Sequence, residues 1–398
     1  MSKRPALALD AVKRLTTASV RSNVPPFMVM DVMAAAARLE ARGTHVIHME
    51  VGQPAASAPT ASIDAARAAL SGGRLGYTEA LGLPSLRARI ARHYRDRYGC
   101  DVDPSRVIVT TGSSAGFMLA FLAMFEPGAR VAVAVPGYPP YRHILTALGC
   151  EPVVIEVSAS TRWAMTADAV MAAHRAKPLQ GLLVASPANP TGTMMTAGAL
   201  EHLVHTAEEA GIRVISDEIY HGLDYTFAAE TAARFSDNAV IINSFSKYFC
   251  MTGWRVGWLL VPEPLVRSIE RLQQNLSISV PTLAQIAAEA AFDGTAEMEA
   301  VKAGYAVNRR MLLEGLPSTG LDTFLPADGA FYLYADVSRF SADSLDFAKR
   351  MLEQAAVAAT PGVDFDPVKG AKFIRFCYAG SSAEMSDAIA RIGQWLGG

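Results

Sequence analysis

Lys247 stands in the run Ser244-Phe245-Ser246-Lys247-Tyr248-Phe249-Cys250-Met251-Thr252-Gly253-Trp254-Arg255, directly behind a β-type segment and eight positions before an arginine. A lysine amine condenses with a carbonyl to form a Schiff base, while small hydroxyls and a guanidinium offer hydrogen bonds and positive charge to a phosphate. The run therefore suits an aldehyde that also bears a phosphate, and pyridoxal phosphate is the candidate. In isolation a Ser-x-Ser-Lys segment is more often a surface lysine after a buried strand. Four other segments shift that balance.

Each is a short polar motif behind a β-rich run. Gly112-Ser113-Ser114 opens a helical pattern and supplies hydroxyls, backbone N–H groups and the positive end of a helix dipole to an anion. Tyr138, in Pro136-Gly137-Tyr138-Pro139, sits where prolines stiffen the backbone and an aromatic face can stack on a planar ligand. Asn189, in Ala188-Asn189-Pro190-Thr191-Gly192, carries an amide able to bond a phenolic oxygen. Its bond to Pro190 is a candidate cis peptide, because proline lowers the penalty to about 0.5–1 kcal/mol. Asp217, in Ser216-Asp217-Glu218-Ile219-Tyr220, ends an apolar run where an unpaired carboxylate is costly to bury, so a partner is implied. A protonated pyridine nitrogen would serve, and Tyr220 can reach the same ring oxygen as Asn189. Alone, each motif also reads as a turn or a helix cap.

Motifs of this kind need an edge on which to meet. In open parallel sheets the ligand crevice lies beyond the carboxyl ends of the strands. β-Rich runs at 106–110, 130–135, 152–157, 181–185, 213–216, 239–243 and 254–261 alternate with helical patterns at 62–70, 112–125, 141–148 and 197–210. This predicts an α/β fold whose large domain has a mostly parallel sheet flanked by helices. After Pro281 come long helical patterns at 282–292 and 297–316, then strands at 330–336 and 372–378, which read as a smaller α+β domain. A helix at 28–42 and a strand at 45–51 place the N-terminal segment with it. The expected division is 1–55 packing with the small domain, 56–295 as the large cofactor-binding domain and 296–398 as the small domain.

The 398 residues exceed one ordinary core, and 51% are hydrophobic. A net charge of -2 argues against a nucleic-acid partner, and Arg87, Arg89, Arg92, Arg95 and Arg97 read as a solvated helix face. Cys100, Cys150, Cys250 and Cys377 are far apart with no Cys-x-x-Cys, which indicates neither a disulfide framework nor a metal site. Met1-Ser2-Lys3-Arg4-Pro5 is basic, but Asp10, Lys13 and Arg14 intervene before a secretory apolar run develops, and no segment has the length to cross a bilayer. The expected location is the cytoplasm. The first strand-to-helix turn carries no Gly-x-Gly-x-x-Gly, against a nicotinamide dehydrogenase, and no basic helix-turn-helix precedes the motifs, against a DNA-binding regulator.

Together, in this order, the five motifs resemble the fold-type I pyridoxal-phosphate enzymes, specifically the class I/II aminotransferases of the aspartate aminotransferase family. The resemblance spans nearly the whole chain and takes in Gly52 in Val51-Gly52-Gln53-Pro54, Tyr77 in Gly76-Tyr77-Thr78, and Arg375 in Lys372-Phe373-Ile374-Arg375-Phe376. It implies that Lys247 holds pyridoxal 5'-phosphate as a Schiff base and shuttles protons, that Asp217 pairs with the pyridinium nitrogen, and that Asn189 and Tyr220 bind the ring oxygen. Tyr138 would stack on the ring. Ser113, Ser114, Ser244 and Arg255 would hold the phosphate, with Gly112 and Ser246 in the same cofactor-binding set. Arg375 would clamp the substrate α-carboxylate beside Asn189, with Gly52 leaving room. The residue matching Tyr77 reaches the neighbouring active site in that family, which implies a homodimer. The implied reaction moves an amino group between an L-amino acid and a 2-oxo acid by a ping-pong route, and a β-lyase cutting a C–S bond is the alternative on the same scaffold. The sequence departs from the family pattern at Cys250, usually Ser, Gly or Ala, and at Asp366, where glycine commonly follows the phenylalanine. No arginine marks a site for a substrate side-chain carboxylate.

Overall fold

In the computed structural model, residues 14–73 and 75–397 are described; the basic start Met1 to Pro5, with Asp10 and Lys13, lies outside the described residues. Strands are numbered in chain order. A short β1 (Ile47–His48) precedes the large sheet, which is built from β2 (Val107–Thr110), β3 (Arg130–Val135), β4 (Glu151–Glu156), β5 (Gly181–Ala185), β6 (Arg213–Asp217), β7 (Val240–Ser244) and β8 (Gly257–Leu260). Their order across the sheet is β2-β8-β7-β6-β5-β3-β4. Every residue of β2, β7 and β8 is buried, as continuous apolar runs require when helices cover both faces.

All neighbouring pairs from β4 across to β7 are parallel. β8 runs antiparallel to both β7 and β2. Gly257 at its start therefore registers with Thr110 at the end of β2 and with Ser244 at the end of β7. The reversal delivers Arg255, two residues earlier, to the edge where the parallel strands finish. The strand expected at 254–261 begins three residues late because Thr252–Trp254 forms a 3-10 turn and Arg255 takes a left-handed φ of 53°. Gly257 has no room for a side chain: a Cβ there would lie 2.8 Å from the Asn243 carbonyl oxygen and 3.1 Å from the Ser113 nitrogen.

The smaller α+β unit is formed by both ends of the chain. β9 (Tyr332–Asp336), β10 (Val357–Ala358), β11 (Thr360–Pro361) and β12 (Phe373–Cys377) complete the strands. β12 lies between β11 and β9, antiparallel to both, while β1 pairs with β10 in parallel. The strand expected at 45–51 contracts to Ile47–His48, since beyond it single bonds from Met49 N to Ala358 O and from Cys377 N to Met49 O replace a ladder. The helix Met28–Glu40 packs on β10, β11 and the helix Ser344–Ala355.

The arginine-rich helix Pro84–Tyr98 corrects one expectation. It buries Leu86, Ile90, Ala91 and Tyr94, and only part of its arginine set is solvated. Arg87 donates to the Val107 and Ser105 carbonyls at 2.9 and 3.1 Å, and Arg89 lies 4.3 Å from the Phe292 ring centre. Long side chains can cover apolar surface and still reach distant carbonyls. Among the described residues, no helix is long and apolar enough to cross a membrane, and no three His, Cys, Asp or Glu side chains are grouped to hold a metal ion.

Gly257→Ala should lower stability by about 1–3 kcal/mol, the usual cost of overpacking a close-fitted interior. Equilibrium urea unfolding checks this; an unchanged midpoint would show that β7 and the Gly112 turn yield without cost.

Candidate active site

A cavity of about 260 Å³ opens at the carboxyl edge of the large sheet and reaches the smaller unit. Its lining brings together Gly52, Ser113, Ser114, Tyr138, Asn189, Asp217, Tyr220, Ser246, Lys247, Arg255 and Arg375 from the sequence-derived set. Gly112 and Ser244 lie immediately behind it, and Tyr77 is 84% exposed on the surface.

Lys247 follows β7 and is half-buried, with Nζ donating to the Gly52 carbonyl oxygen at 2.6 Å. Burial pushes its amine down to about 8, and the positive charges of Arg375 and Arg255 act in the same direction. Asp217 ends β6 and is 3% exposed. Burial pushes its carboxyl up to about 6, opposed by the Tyr141 hydroxyl, which donates to Oδ2, and by the Ile219 N–H at 3.0 Å. Its neighbour Glu218 is pushed up to about 8 by burial, even though Ser216, Thr231 and the Ala232 N–H all donate to its Oε1.

One end of the cavity is built for an anion. The helix Ser113–Met124 has no side-chain cap on its first turn, and its first residues Ser113 and Ser114 line the cavity with Ser246, Thr252 and Arg255; an uncapped helix start of this kind suits an anion. Gly112, with φ of 78°, makes room for this arrangement, since a Cβ would lie 2.4 Å from Arg255 Nη2. Ser244 is a second layer: its Oγ donates to the Val256 carbonyl at 3.0 Å and sits 2.8 Å from Ser246 Oγ.

At the other end, Arg375 on β12 is 2% exposed. Nη1 donates to Asn189 Oδ1 at 2.9 Å, and Nη2 donates to Thr360 Oγ1 at 3.1 Å and to the Glu50 carbonyl. The rings of Tyr332 and Phe365 lie 4.3 and 4.8 Å from its guanidinium carbon, and its Nε has no hydrogen-bond partner among the described residues. The peptide bond between Asn189 and Pro190 is cis. Because Asn189 Oδ1 is committed to the arginine, its amide N–H groups are left for a ligand. Gly52 lines the cavity and makes room for a neighbouring side chain: a Cβ there would lie 1.7 Å from the Tyr332 hydroxyl. That hydroxyl is 2.7 Å from the Tyr220 hydroxyl.

Sequence reasoning missed Tyr141, Thr252, Tyr332 and the apolar wall of Phe27, Val29, Met30 and Ile219, all of which line the cavity. Tyr141 was within reach, lying one helical turn after Tyr138. The contact between Tyr332 and Arg375 had no local signal, because it depends on the pairing of β9 with β12. Both departures from the family pattern serve local packing. Cys250 is buried, its thiol pushed up to about 11 by burial. Asp366 Oδ1 closes a turn by accepting from Val368 N and Lys369 N at 2.9 Å each.

Comparison with known proteins agrees with this geometry. Residues 44–392 match the family described as aminotransferase class I and II. The chain is 50% identical over 382 residues to the valine–pyruvate aminotransferase of Mycobacterium tuberculosis, a match spanning 95% of this chain and 98% of that protein. The crystal structure of an aminotransferase from Mycobacterium tuberculosis superposes with a TM-score of 0.93 at 49% identity, covering 96% of this chain and 99% of that one. Aspartate aminotransferase from Thermus thermophilus with maleate superposes with a TM-score of 0.89 at 31% identity, covering 95% and 99%. With its strand-end motifs, its fold and these relatives in agreement, the chain belongs to the aminotransferase class I and II family.

Proposed function

We propose that this aminotransferase works with pyridoxal 5'-phosphate at Lys247 and takes its amino group from L-amino acids with aliphatic, uncharged side chains, passing it to a 2-oxo acid. One observation carries the reading: Lys247 and Asp217 share a single cavity that has an anion cradle at one end and a fixed arginine at the other. The residues present fit the cofactor, because an uncapped helix start with Ser113 and Ser114 beside Ser246 and Arg255 suits a phosphate, and a buried carboxyl with no ion-pair partner among the described residues suits a cationic ring nitrogen, which would favour its ionised form.

When bound, the cofactor withdraws electrons from the substrate Cα. Lys247, whose amine is lowered to about 8 chiefly by desolvation and so gives up its proton more readily than an exposed lysine, would remove the Cα proton and redeliver it. Asp217 would keep the ring nitrogen protonated, with Tyr141 fixing the carboxylate. Tyr138 would stack on the ring, while Asn189 and Tyr220 bond its oxygen. Ser113, Ser114, Ser246 and Arg255 would hold the phosphate, backed by Ser244 and by the space left at Gly112. Arg375 would grip the α-carboxylate in two points from a position its neighbours fix beforehand.

The side-chain preference rests on charge. Among the described residues of one copy, the arginines lining the cavity are Arg255 and Arg375, both already assigned, so a substrate side-chain carboxylate would lie against Phe27, Val29 and Ile219 with no further arginine of that copy beside it. The name of the Mycobacterium tuberculosis relative, a valine–pyruvate aminotransferase, supports the same choice. We further infer a homodimer. The exposed Tyr77 lies on a segment held to the helix Thr282–Ala291 by Thr282 and by a 3.0 Å bond from Gln285 to Thr78, where a second copy would bury it.

With valine or alanine, the absorbance of the lysine-bound cofactor should be lost and then restored by pyruvate, whereas aspartate and glutamate should react at least about tenfold less efficiently. A blank across the whole panel would sink the reading. Borohydride should fix the cofactor to the parent protein but not to Lys247→Ala, and retained labelling would move the attachment elsewhere. Burial disfavours the charged amine, so in the cofactor-free protein an acylating reagent should label Lys247 with a midpoint near pH 8 rather than the roughly 10.4 of an exposed lysine. Removing the opposing charge in Asp217→Asn should lower that midpoint further; a midpoint of an ordinary lysine, read by mass spectrometry, would contradict the burial argument.

A further inference from the structure

We propose that Asp364 is a positioning residue for the substrate: it latches the start of the helix Met28–Glu40 and so fixes Phe27, Val29 and Met30 as one wall of the cavity. The inference rests on the aliphatic side-chain site proposed above. A helix start leaves N–H groups without intrahelical partners, and a side-chain oxygen at the N-cap normally takes one of them. Phe27 occupies the N-cap here and provides none. Asp364, distant in sequence, supplies both oxygens instead: Oδ1 accepts from Met28 N and Oδ2 from Val29 N, each at 3.3 Å. The carboxylate is 4% exposed and stands at the positive end of the helix dipole.

The stretch that carries Asp364 is itself fixed to the reaction centre. Arg142 donates to the carbonyls of Asp364 and Phe365 at 3.1 and 3.0 Å. It belongs to the helix Pro139–Ala147, whose N-cap is Tyr138. Gly137 N bonds the Phe365 carbonyl at 3.2 Å, and the Phe365 ring faces the Arg375 guanidinium. Phe27 closes the loop by meeting the Tyr138 ring edge-on, with centroids 5.7 Å apart. Distances between the apolar wall, the stacking tyrosine and the carboxylate-binding arginine are thus referred to one short segment, and the two oxygens of Asp364 are the link to the wall. Cutting that link loosens residues 27–30, leaving them the Phe27–Tyr138 ring contact and the packing of their helix, while the strand-end groups keep their own supports.

The test uses the holoenzyme and its variants Asp364→Asn, which keeps one acceptor, and Asp364→Ala, which keeps none. Amide hydrogen exchange at Met28 and Val29 should quicken in the order parent, Asn, Ala, with cofactor retention equal in all three. The specificity constant for valine should fall roughly three- to thirtyfold through KM, the range of a lost helix cap, with kcat and the constants for alanine moved less than about twofold because a methyl group does not reach the wall. Unchanged exchange at residues 28 and 29, or equal losses for valine and alanine, would overturn the latch. If the alanine variant does not fold, the asparagine variant alone decides. A parent enzyme inactive on valine would overturn the aliphatic reading instead, and the exchange rates would still judge the latch.

Discussion

Three ionisable side chains surround one cavity, Asp217 and Arg375 buried and Lys247 half-buried, and among the described residues none is neutralised by a direct ion pair. Lys247 is held by a peptide carbonyl, Asp217 by a phenol and a backbone N–H, and Arg375 by an amide, a hydroxyl and another carbonyl. Neutral dipoles orient these groups without cancelling their charge, so each remains free to meet a charged ligand atom. Such an arrangement is costly to keep, because burying charge without a counter-charge opposes folding. The rest of the molecule makes that cost bearable: a large sheet with fully buried strands, and a smaller unit whose β12 carries Arg375 and whose Glu50 carbonyl meets it.

Position, more than chemical identity, is what the fold contributes. The same serines and arginine elsewhere on the chain would be ordinary surface residues. They become a cradle because Gly257 lies in register with Thr110 and Ser244, and because glycines at 112 and 257 allow backbone and guanidinium to approach within contact. Gly52 does the corresponding work on the substrate side by admitting the Tyr332 hydroxyl.

What was legible in the sequence follows from this division. The strands at 130–135 and 181–185 match the expected limits, since unbroken apolar runs bounded by turn residues leave little freedom. The strand-end groups were also legible, because each is attached to its strand by a few residues and the sheet decides where it points. The strand starts near 254 and 45 were not, because a left-handed residue and a loss of ladder partners depend on tertiary context. Nor were Tyr332, Phe27 and Asp364, whose importance arises from contacts between segments far apart in the sequence. Arg87 and Arg89 show the opposite error, in which a run of one charge suggests solvent but half-buried stems reach carbonyls and a ring.

The reversed strand also bears on how the molecule comes together. β2 is an edge strand whose one neighbour is β8, so a ribosome releasing the chain from its amino end exposes Val107–Thr110 long before anything can pair with it. In the finished sheet β8 alone joins β2 to β7, and it begins two residues after Arg255, so the pairing that completes the sheet also sets that arginine in place. A long wait for a distant partner is the expected burden of non-local pairing. The enzyme gains a built-in coincidence from it: the anion cradle cannot exist on a sheet that is still incomplete.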